Sequence, residues 1–538
     1  MDLRSMVMQE HVEDNMPNAK MVDYRDPESD MKFYSTEQLK EVSGDWFPLS
    51  CHINEEGEAI YGGRSGVIHT YVQGDTGSGK TTRLCMQAIR ALACTKDKPS
   101  LLITDIHGEI IETLYDHLVS NGYNVKIINC DDPARSHTYN PFLTIARDVY
   151  ETGEISMVDA SAMQRIVDVL VPIESTKDPI WERGARSYTA GLVLDKLEDI
   201  RDGYMTPDKL TLYSVLQNHH WMREKVDHST YGFKLKDVPH FAQKGFTSRA
   251  IQKLKAVVGS PEKTRDSYFS VTEVCFEKIG SSGFFALSSN STVDVMEFIE
   301  KPTAIIIQSG VTDSADFIVS LLVNDIYQSI LKVGKRSVDK RAPRKVHCFI
   351  DEFANCSIAD GPDFVKMLTT SRKFGMYWHM MIQCDAQLDR KFDAEIGRII
   401  RANCSEIFLS SNDVATRQRF SQACGQKTVE SLASKTSETH PLSLDVVSLI
   451  TAEMLNLTEP GTMYVRASRR HLMKTYIEAL YNCSEYEVRG DISSIYPHNT
   501  FDPKTTVEYP KDHSDEKPRS NIKTADTGNK NTPRRQTW

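Results

Sequence analysis

Residues 66–82 read GVIHTYVQGDTGSGKTT, and this stretch decides how the rest of the chain is interpreted. An apolar, β-branched run leads directly into the pattern Gly-x-x-x-x-Gly-Lys-Thr at residues 74–81. Glycines at these positions let the backbone curl so that successive N–H groups converge on an anion, and the helix that follows presents its positive end to the same point. The apolar spacing of residues 82–92 predicts that helix. The stretch therefore predicts a phosphate-binding loop between a strand and a helix.

The polar residues of this loop have predicted roles in binding a nucleotide. Lys80 would place a positive charge on the β- and γ-phosphates, and the Thr81 hydroxyl would ligate Mg²⁺. The predicted nucleotide-binding residues are Gly74, Asp75, Thr76, Gly77, Ser78, Gly79, Lys80, Thr81 and Thr82.

Composition describes an ordinary globular chain. It has 538 residues, 40% of them apolar, and a mean hydropathy of −0.40, so we expect two to three domains of about 100–200 residues each. The first residues lack the apolar segment of a signal peptide, and no uninterrupted apolar run approaches the roughly 18 residues of a membrane helix. These features predict a cytoplasmic protein. The net charge of −10 argues against a globally basic nucleic-acid binder but leaves room for a basic channel.

Strand-like and helical segments alternate after the loop. Apolar runs at residues 100–105, 124–129 and 303–308 predict strands separated by helices, which is typical of a parallel sheet with right-handed crossovers. The strand signal fades between residues 146 and 282, where prolines at the first turns of helices predict an all-α insertion. The predicted fold class is α/β, with a mostly parallel sheet interrupted by an inserted all-α domain.

The predicted organisation has five segments. The first thirty residues hold eight Asp and Glu against three Lys and Arg, which favours either a mobile arm that docks elsewhere or a merely solvated tail. The last segment is polar and poor in apolar residues, which predicts disorder. The segments are a mobile acidic arm (1–45), the first half of the nucleotide domain (46–145), the all-α domain (146–282), the second half of the nucleotide domain (283–481) and a disordered tail (482–538).

A second acidic segment completes a hydrolysis site. Residues 347–352 read HCFIDE, an apolar strand that ends in two acids. Asp351 is placed to hold the Mg²⁺ shell, and Glu352 is placed to orient and polarise an attacking water. Two surface acids would give the same pattern without a function, but the loop upstream favours hydrolysis.

Two further polar positions carry alternatives. Gln383 ends the next strand and would either sense the γ-phosphate or satisfy a loop amide. Arg372 or Lys373 would either reach the nucleotide of a neighbouring subunit as an arginine finger or end a helix in solvent.

A basic run precedes the acidic strand. Residues 332–345 contain seven Lys and Arg against one Asp, so the run would either bind nucleic-acid phosphates with a steep salt dependence or form a solvated loop. The candidate DNA contacts are Lys335, Arg336, Lys340 and Arg341.

These segments together resemble the TraG-type coupling proteins of conjugation and type IV secretion. The most specific match is residues 349–355, because DEFAN after an apolar strand is close to a signature of that family. Weaker matches follow in the family's order at residues 103–109, 139–142, 383–388 and 402–413. The resemblance covers roughly residues 46–480.

The resemblance implies a RecA-like P-loop NTPase that assembles as a hexamer around DNA and hydrolyses ATP with Mg²⁺. It implies catalytic roles for Lys80, Glu352 and Gln383, a metal role for Asp351 beside Thr81, and the finger role for Arg372. The expected partners are single-stranded DNA together with relaxase or other transfer proteins. The components of the secretion channel are expected partners as well.

The sequence departs from the family at its start. Family members usually begin with transmembrane helices, and this sequence shows no such pattern, so we expect a separate membrane partner to recruit the protein to the inner face of the cell membrane. One alternative is a receptor or scaffold in which nucleotide drives assembly only. A septal-type translocase is a further alternative, but the polar tail offers no room for the winged-helix domain of such motors.

Overall fold

A computed structural model divides the chain into two compact units. The sheet unit comprises Met1–Thr138 and Thr292–Asn499, and the helical unit comprises Tyr139–Ser291. The structure describes residues 18–499 except 44, 67–68, 174–178, 228–233, 246, 280–281, 309–312, 356–357, 359–360, 433–441, 484–485, 487 and 490–491.

The described residues contain fifteen strands and eighteen α-helices. The strands are β1 Met21–Asp23, β2 Lys32–Ser35, β3 Trp46–Ile53, β4 Ala59–Ser65, β5 Thr70–Gln73, β6 Ser100–Asp105, β7 Asn124–Asn129, β8 Thr303–Gln308, β9 Val346–Ile350, β10 Met376–Ile382, β11 Ser405–Phe408, β12 Gln426–Leu432, β13 Leu442–Ser448, β14 Thr462–Arg466 and β15 Leu472–Tyr476. The helices are α1 Thr36–Leu39, α2 Met86–Cys94, α3 Glu109–Ser120, α4 Leu143–Thr152, α5 Met157–Leu170, α6 Ile180–Arg201, α7 Leu212–Asp227, α8 Pro239–Lys244, α9 Arg249–Val258, α10 Glu262–Ile279, α11 Ser282–Ser288, α12 Val295–Glu300, α13 Asp313–Arg336, α14 Gly361–Phe374, α15 Asp385–Phe392, α16 Ala394–Ala402, α17 Val414–Cys424 and α18 Ala452–Asn456.

Ten strands form the main sheet, in the order β1-β15-β14-β11-β5-β10-β9-β6-β8-β7. Every neighbouring pair from β11 to β7 is parallel, whereas β14 runs antiparallel to both of its neighbours. The central strands are buried along their whole length, which explains why their sequences are continuous apolar runs rather than alternating ones. The predicted fold class, an α/β fold with a mostly parallel sheet and a helical insertion, is confirmed.

Smaller sheets complete the sheet unit. Strands β3 and β4 form an antiparallel hairpin, with β2 added on the far side of β4. A second hairpin, β12 with β13, forms a separate two-stranded sheet.

The first described residues differ from the predicted mobile arm of residues 1–45. Strand β1 pairs parallel with β15, with Met21 opposite Leu472, and Val22 and Tyr24 are buried. The acidic count hid these apolar positions, which alternate with the charged ones and are enough to anchor a short edge strand. The stretch 1–17 lies outside the described residues.

The end of the chain also differs from the predicted tail of residues 482–538 in its first part. The Tyr496 hydroxyl donates a hydrogen bond to Gln308 Oε1 at 2.6 Å, and the Asn499 backbone N–H donates to the Ala134 carbonyl at 2.8 Å. Isolated aromatic and amide side chains therefore hold residues 493–499 on the sheet unit although the segment is polar. The disorder predicted for residues 500–538 concerns a stretch outside the described residues.

The helical unit contains α4 to α11 and begins and ends several residues outside the predicted range 146–282. Its long helix α6 is buried along most of its length. A side chain at Gly191 would meet Leu254 of α9 within 2.8 Å, and one at Gly184 would meet the Tyr268 ring within 2.1 Å. Glycine therefore lets α9 and α10 pack closely against α6.

Helix α13 contains a segment, Phe317–Arg336, that is long and apolar enough to cross a membrane by length and composition, with a mean hydropathy of 1.3. The sequence did not indicate it because Asn324, Asp325 and Gln328 interrupt the apolar run. In the structure 61% of this segment is buried, and it packs beside α12, α14 and β8. The helix therefore serves the core of the sheet unit.

Candidate nucleotide-binding and hydrolysis site

The predicted phosphate-binding loop lies where β5 ends, between β10 and β11. Gly74 N–H donates to the Ile382 carbonyl at 3.1 Å, and Ser78 N–H donates to the Asp75 carbonyl at 3.1 Å. Gly77 and Gly79 have φ angles of 78° and 87°, a left-handed backbone that favours glycine. The chain then enters a wide helical turn, Lys80–Cys85, that leads into α2. The loop thus has the strand, turn and helix that its sequence predicts.

Lys80 folds back over the loop. Its Nζ donates to the carbonyls of Gly74 and Asp75, the latter at 3.0 Å, and the residue is only 8% exposed. Burial lowers the pKa of Lys80 from its ordinary value, and the nearby carboxylates of Asp351 and Glu352 oppose that shift. Carbonyl oxygens hold the ammonium group where an incoming phosphate would need a cation.

Thr81 and Asp351 meet although they are 270 positions apart. The Thr81 hydroxyl donates to Asp351 Oδ2 at 3.0 Å, so the loop helix and the end of β9 present two oxygen ligands side by side. Thr104, at the end of β6, accepts from the Asp351 backbone N–H at 2.8 Å. Burial raises the pKa of the Asp351 carboxyl, and the hydrogen bond from Thr81 opposes that rise.

Glu352 has an unusual backbone conformation. Its φ angle is 49°, in the left-handed region that non-glycine residues seldom occupy and that is found often at functional sites. Its N–H donates to Asp351 Oδ1 at 3.1 Å, and Asn355 Nδ2 donates to Glu352 Oε2 at 2.8 Å. The backbone turn aims the two consecutive carboxylates in different directions, and Asn355 fixes the second of them.

Gln383 follows β10, the strand between β5 and β9. Its backbone N–H donates to Gln387 Oε1 at 3.1 Å. The strand order places Gln383 between the phosphate-binding loop and Asp351, at the same edge of the sheet.

Asp105 is a third carboxylate at this edge, and no role was predicted for it. It ends β6 next to β9, is 2% exposed, and accepts from the Ile111 N–H at 2.9 Å. Burial raises the pKa of Asp105 to about 6. Hydrogen bonds from backbone N–H groups at the start of α3 lower this pKa, and the neighbouring Asp351 carboxylate raises it. An acid at the end of an apolar strand, as in Thr104-Asp105, was the available signal.

Arg372 does not lie at the phosphate-binding loop of its own chain. It occupies the last turn of α14 and is exposed. It lies near His69, the residue just before β5. Burial is the main cause of the low pKa of His69, and the positive charge of Arg372 lowers that pKa further. This is the amino edge of the sheet, opposite the edge that carries Gly74. Lys373 is exposed in the same turn.

The candidate DNA contacts also lie at the amino edge of the sheet. Lys335 and Arg336 end α13, and Lys340 has a left-handed φ of 59° with its Nζ donating to the Lys335 carbonyl at 3.1 Å. Arg341 lines a cavity of about 480 Å³ together with Arg344 and other residues of the loops at 95–98 and 339–345. The four candidate contacts are therefore exposed but remote from the phosphate-binding loop.

Strand β5 leads into the phosphate-binding loop, strand β9 leads into Asp351, and the parallel strand β10 lies between them. This arrangement defines a class, the P-loop nucleotide-binding α/β proteins. The sequence pattern of the family described as "Type IV secretory system Conjugative DNA transfer" matches residues 28–454, and the chain belongs to that family. The resemblance to TraG-type coupling proteins is thereby confirmed. A search of curated proteins finds no match to this sequence.

Solved structures with the same fold include forms of the bacterial conjugative coupling protein TrwB. TrwBdeltaN70 in an unbound form has a TM-score of 0.54 at 16% identity, covering 79% of this chain and 87% of that one. TrwB in complex with the ATP analogue ADPNP has a TM-score of 0.53 at 16% identity, covering 80% of this chain and 88% of that one. TrwB in complex with ADP and Mg²⁺ has a TM-score of 0.52 at 17% identity, covering 78% of this chain and 87% of that one. At such low identity these likenesses establish the fold.

The residues at the loop fit a magnesium ion. Mg²⁺ prefers hard oxygen ligands and is usually held by one or two protein groups together with phosphates and water. The Thr81 hydroxyl and Asp351 carboxylate, 3.0 Å apart, supply such oxygens beside the Lys80 ammonium.

Proposed function

We propose that the protein is an ATPase that uses hydrolysis of Mg²⁺-bound ATP to drive a DNA or nucleoprotein substrate into a type IV secretion channel. The observation that carries this proposal is the hydrogen bond between Thr81 and Asp351, because it joins the two parts of a hydrolysis site that the two sequence segments of the sheet unit supply. Family membership supports the transfer role, and the nucleotides bound to the TrwB structures support ATP and Mg²⁺.

The geometry supports a division of roles within the site. The backbone N–H groups of residues 74–82 and the start of the loop helix bind the phosphates, and Lys80 neutralises their charge as it builds up during transfer. Thr81 and Asp351 would hold Mg²⁺, which would supply Lewis-acid stabilisation of the phosphate charge. Glu352, fixed by Asn355, orients the attacking water. Gln383 reports the state of the γ-phosphate to β10.

We also propose that the active form contains several copies of the chain, six by analogy with the family resemblance. Arg372 lies at the opposite edge of the sheet from its own loop, and helix α14, 14 residues long, separates it from that edge by about 20 Å. If Arg372 contributes to hydrolysis, it does so at the site of a neighbouring copy.

Single-stranded DNA with a relaxase is the proposed substrate, and a separate membrane protein is the proposed anchor at the inner face of the membrane. Lys335, Arg336, Lys340 and Arg341 support a DNA role because they are exposed on one segment that holds seven cations against one acid. Contacts of this kind bind phosphates without sequence preference.

The test is ATP hydrolysis by the purified full chain, with and without single- or double-stranded DNA, at about 50 and about 200 mM salt. We expect stimulation by DNA that fades at the higher salt. Lys80→Ala should lower turnover by about 10²- to 10³-fold, as loss of a transition-state donor does elsewhere. Lys301→Ala, an exposed lysine paired with Glu297, is the matched control and should leave turnover unchanged.

Each other outcome has a distinct meaning. Turnover that ignores DNA would favour a receptor or scaffold in which nucleotide drives assembly only. Turnover by Lys80→Ala at the wild-type rate would refute the ATPase assignment.

A further inference from the structure

A buried ionic network lies directly behind the phosphate-binding loop, and neither the sequence patterns nor the proposed roles account for it. It links the end of β5 to the loop after β10 and to β11. We call it the Asp385 network, after the residue with the most contacts. Its members are Tyr71, Gln73, Asp385, Arg401, Glu406 and Arg419.

Gln73 connects the network to the loop. It is the last residue of β5, it is fully buried, and the next residue is Gly74. Its side-chain Nε2 donates to Asp385 Oδ1 at 2.9 Å, and its Oε1 accepts from Arg419 Nη2 at 3.1 Å. Both ends of the amide are therefore used, which fixes the orientation of the side chain at the point where the loop begins.

Asp385 connects the network to the proposed sensor. It lies two residues after Gln383, and its backbone N–H donates to the Thr416 hydroxyl at 3.1 Å. Its Oδ1 also accepts from the Tyr71 hydroxyl at 2.8 Å, and its Oδ2 accepts from Arg419 Nε at 2.7 Å. One carboxylate thus joins β5, the segment after β10 and helix α17.

Arg419 extends the network outward. Its guanidinium also contacts the carboxylate of Glu406, a residue of β11 that is 1% exposed and is contacted from its other side by Arg466. Desolvation lowers the pKa of Arg419, but Glu406 and Asp385 together hold it above its ordinary value. Both acids are buried against guanidinium groups, so removing either one reduces the compensation of the buried positive charge.

A buried charge network at this position costs desolvation, and an apolar contact between β5 and α17 would pack as well. The network fixes the orientation of its members, because a guanidinium and a carboxylate that share two hydrogen bonds hold each other in one geometry. We infer that Asp385 and Arg419 are positioning residues for ATP hydrolysis, which fix the start of the phosphate-binding loop relative to Gln383. This inference rests on the proposed function for its kinetic part only.

The first experiment measures the loop itself. Asp385→Asn keeps the side-chain volume but offers one acceptor oxygen in place of two. In the nucleotide-free protein, hydrogen exchange of a peptide spanning residues 74–80 should become faster by on the order of 10-fold, since its anchor opens locally. Peptides from α6 in the helical unit should exchange as in the wild type, which shows that the chain remains folded.

Asp389→Asn is the matched control. Asp389 lies on the same helix α15, but its carboxylate accepts from Arg401 at 3.1 Å rather than from Gln73, and its side chain is 33% exposed. Exchange at residues 74–80 should not change in this variant. Equal exchange in Asp385→Asn and Asp389→Asn would overturn the inference.

The second experiment measures turnover. Asp385→Asn should lower kcat by on the order of 10²-fold, the effect of a displacement near 1 Å in a reacting geometry, while the affinity for ATP stays within about threefold of the wild type. Gln73→Met removes the same link without leaving a buried charge, so it keeps the test available if Asp385→Asn does not fold. In the double variant kcat should fall no further than in the worse single variant, because both substitutions break the same contact between Gln73 and Asp385.

The outcomes separate the two claims. A wild-type protein without ATPase activity would remove the proposed function, and the exchange experiment would still test the positioning role. A wild-type protein that hydrolyses ATP, with Asp385→Asn and Gln73→Met equally active, would remove the positioning role alone. Additive losses in the double variant would also contradict it.

Discussion

Acidification should destabilise the sheet unit through a buried histidine, and His69 allows this effect to be measured. His69 is 3% exposed and precedes β5, and its Nδ1 accepts from the Trp378 backbone N–H at 3.1 Å. Burial lowers its pKa to about 3, against about 6.5 in an unfolded chain. The unfolded state therefore binds a proton at a pH where the folded state does not. Stability is lost as pH falls below about 6.5 and continues to fall toward pH 3.

The size of the effect follows from the two pKa values. At about pH 5 the unfolded histidine is almost fully protonated and the folded one is neutral, which costs about 2 kcal/mol relative to about pH 7.5. Other groups add to the total. Burial also lowers the pKa of His347 to about 3, while the raised pKa of Asp105 acts in the opposite direction. The contribution of His69 is isolated by comparing variants rather than by the total.

The assay is urea unfolding at both pH values, followed by tryptophan fluorescence, for wild type and His69→Asn. Asparagine keeps an acceptor for Trp378 N–H but has no proton to bind, so its loss of stability between the two pH values should be smaller by about 2 kcal/mol. His471→Asn, at an exposed position, should lose as much as the wild type. An equal loss in wild type and His69→Asn would refute the reasoning.

Two further predictions concern the site. Arg372→Ala should lose turnover but keep ATP binding, and mixing it with Glu352→Gln should restore part of the activity through hybrid interfaces; no recovery at any mixing ratio would exclude a finger acting between copies. Thr104→Val should lower stability by about 1–3 kcal/mol, because the Asp351 N–H loses its acceptor inside the protein, measured as the free energy of unfolding in urea. A Thr104→Val protein as stable as Thr104→Ser would contradict this account.

The sequence carried enough information for the site because each part of it is local. The phosphate-binding loop is a contiguous pattern, and Asp351 and Glu352 end a continuous apolar run. Parallel strands bring such ends to one edge of a sheet, so their meeting could be expected. Asp105 has the same pattern, and its place beside Asp351 depended on knowing that β6 is the neighbour of β9.

Features that depend on distant pairing were outside the reach of the sequence patterns. Strand β1 is three residues long, and only its pairing with β15 makes it a strand. The Asp385 network joins residues separated by more than 300 positions, such as Gln73 and Asp385. Charged residues in a sequence predict solvent exposure, so Glu406 gave no sign that it is buried between two guanidinium groups.

The strand order has a consequence for the synthesis of the chain. Strand β5, which ends at Gln73, has as its neighbours β10 and β11, which begin at Met376 and Ser405. A ribosome that adds about 5–20 residues per second needs about 15–60 s to make the intervening 300 or so residues. During that time the nascent chain carries the complete loop motif on a strand that has no partner. A truncated product that ends before β10 would therefore contain the nucleotide-binding sequence without a nucleotide site.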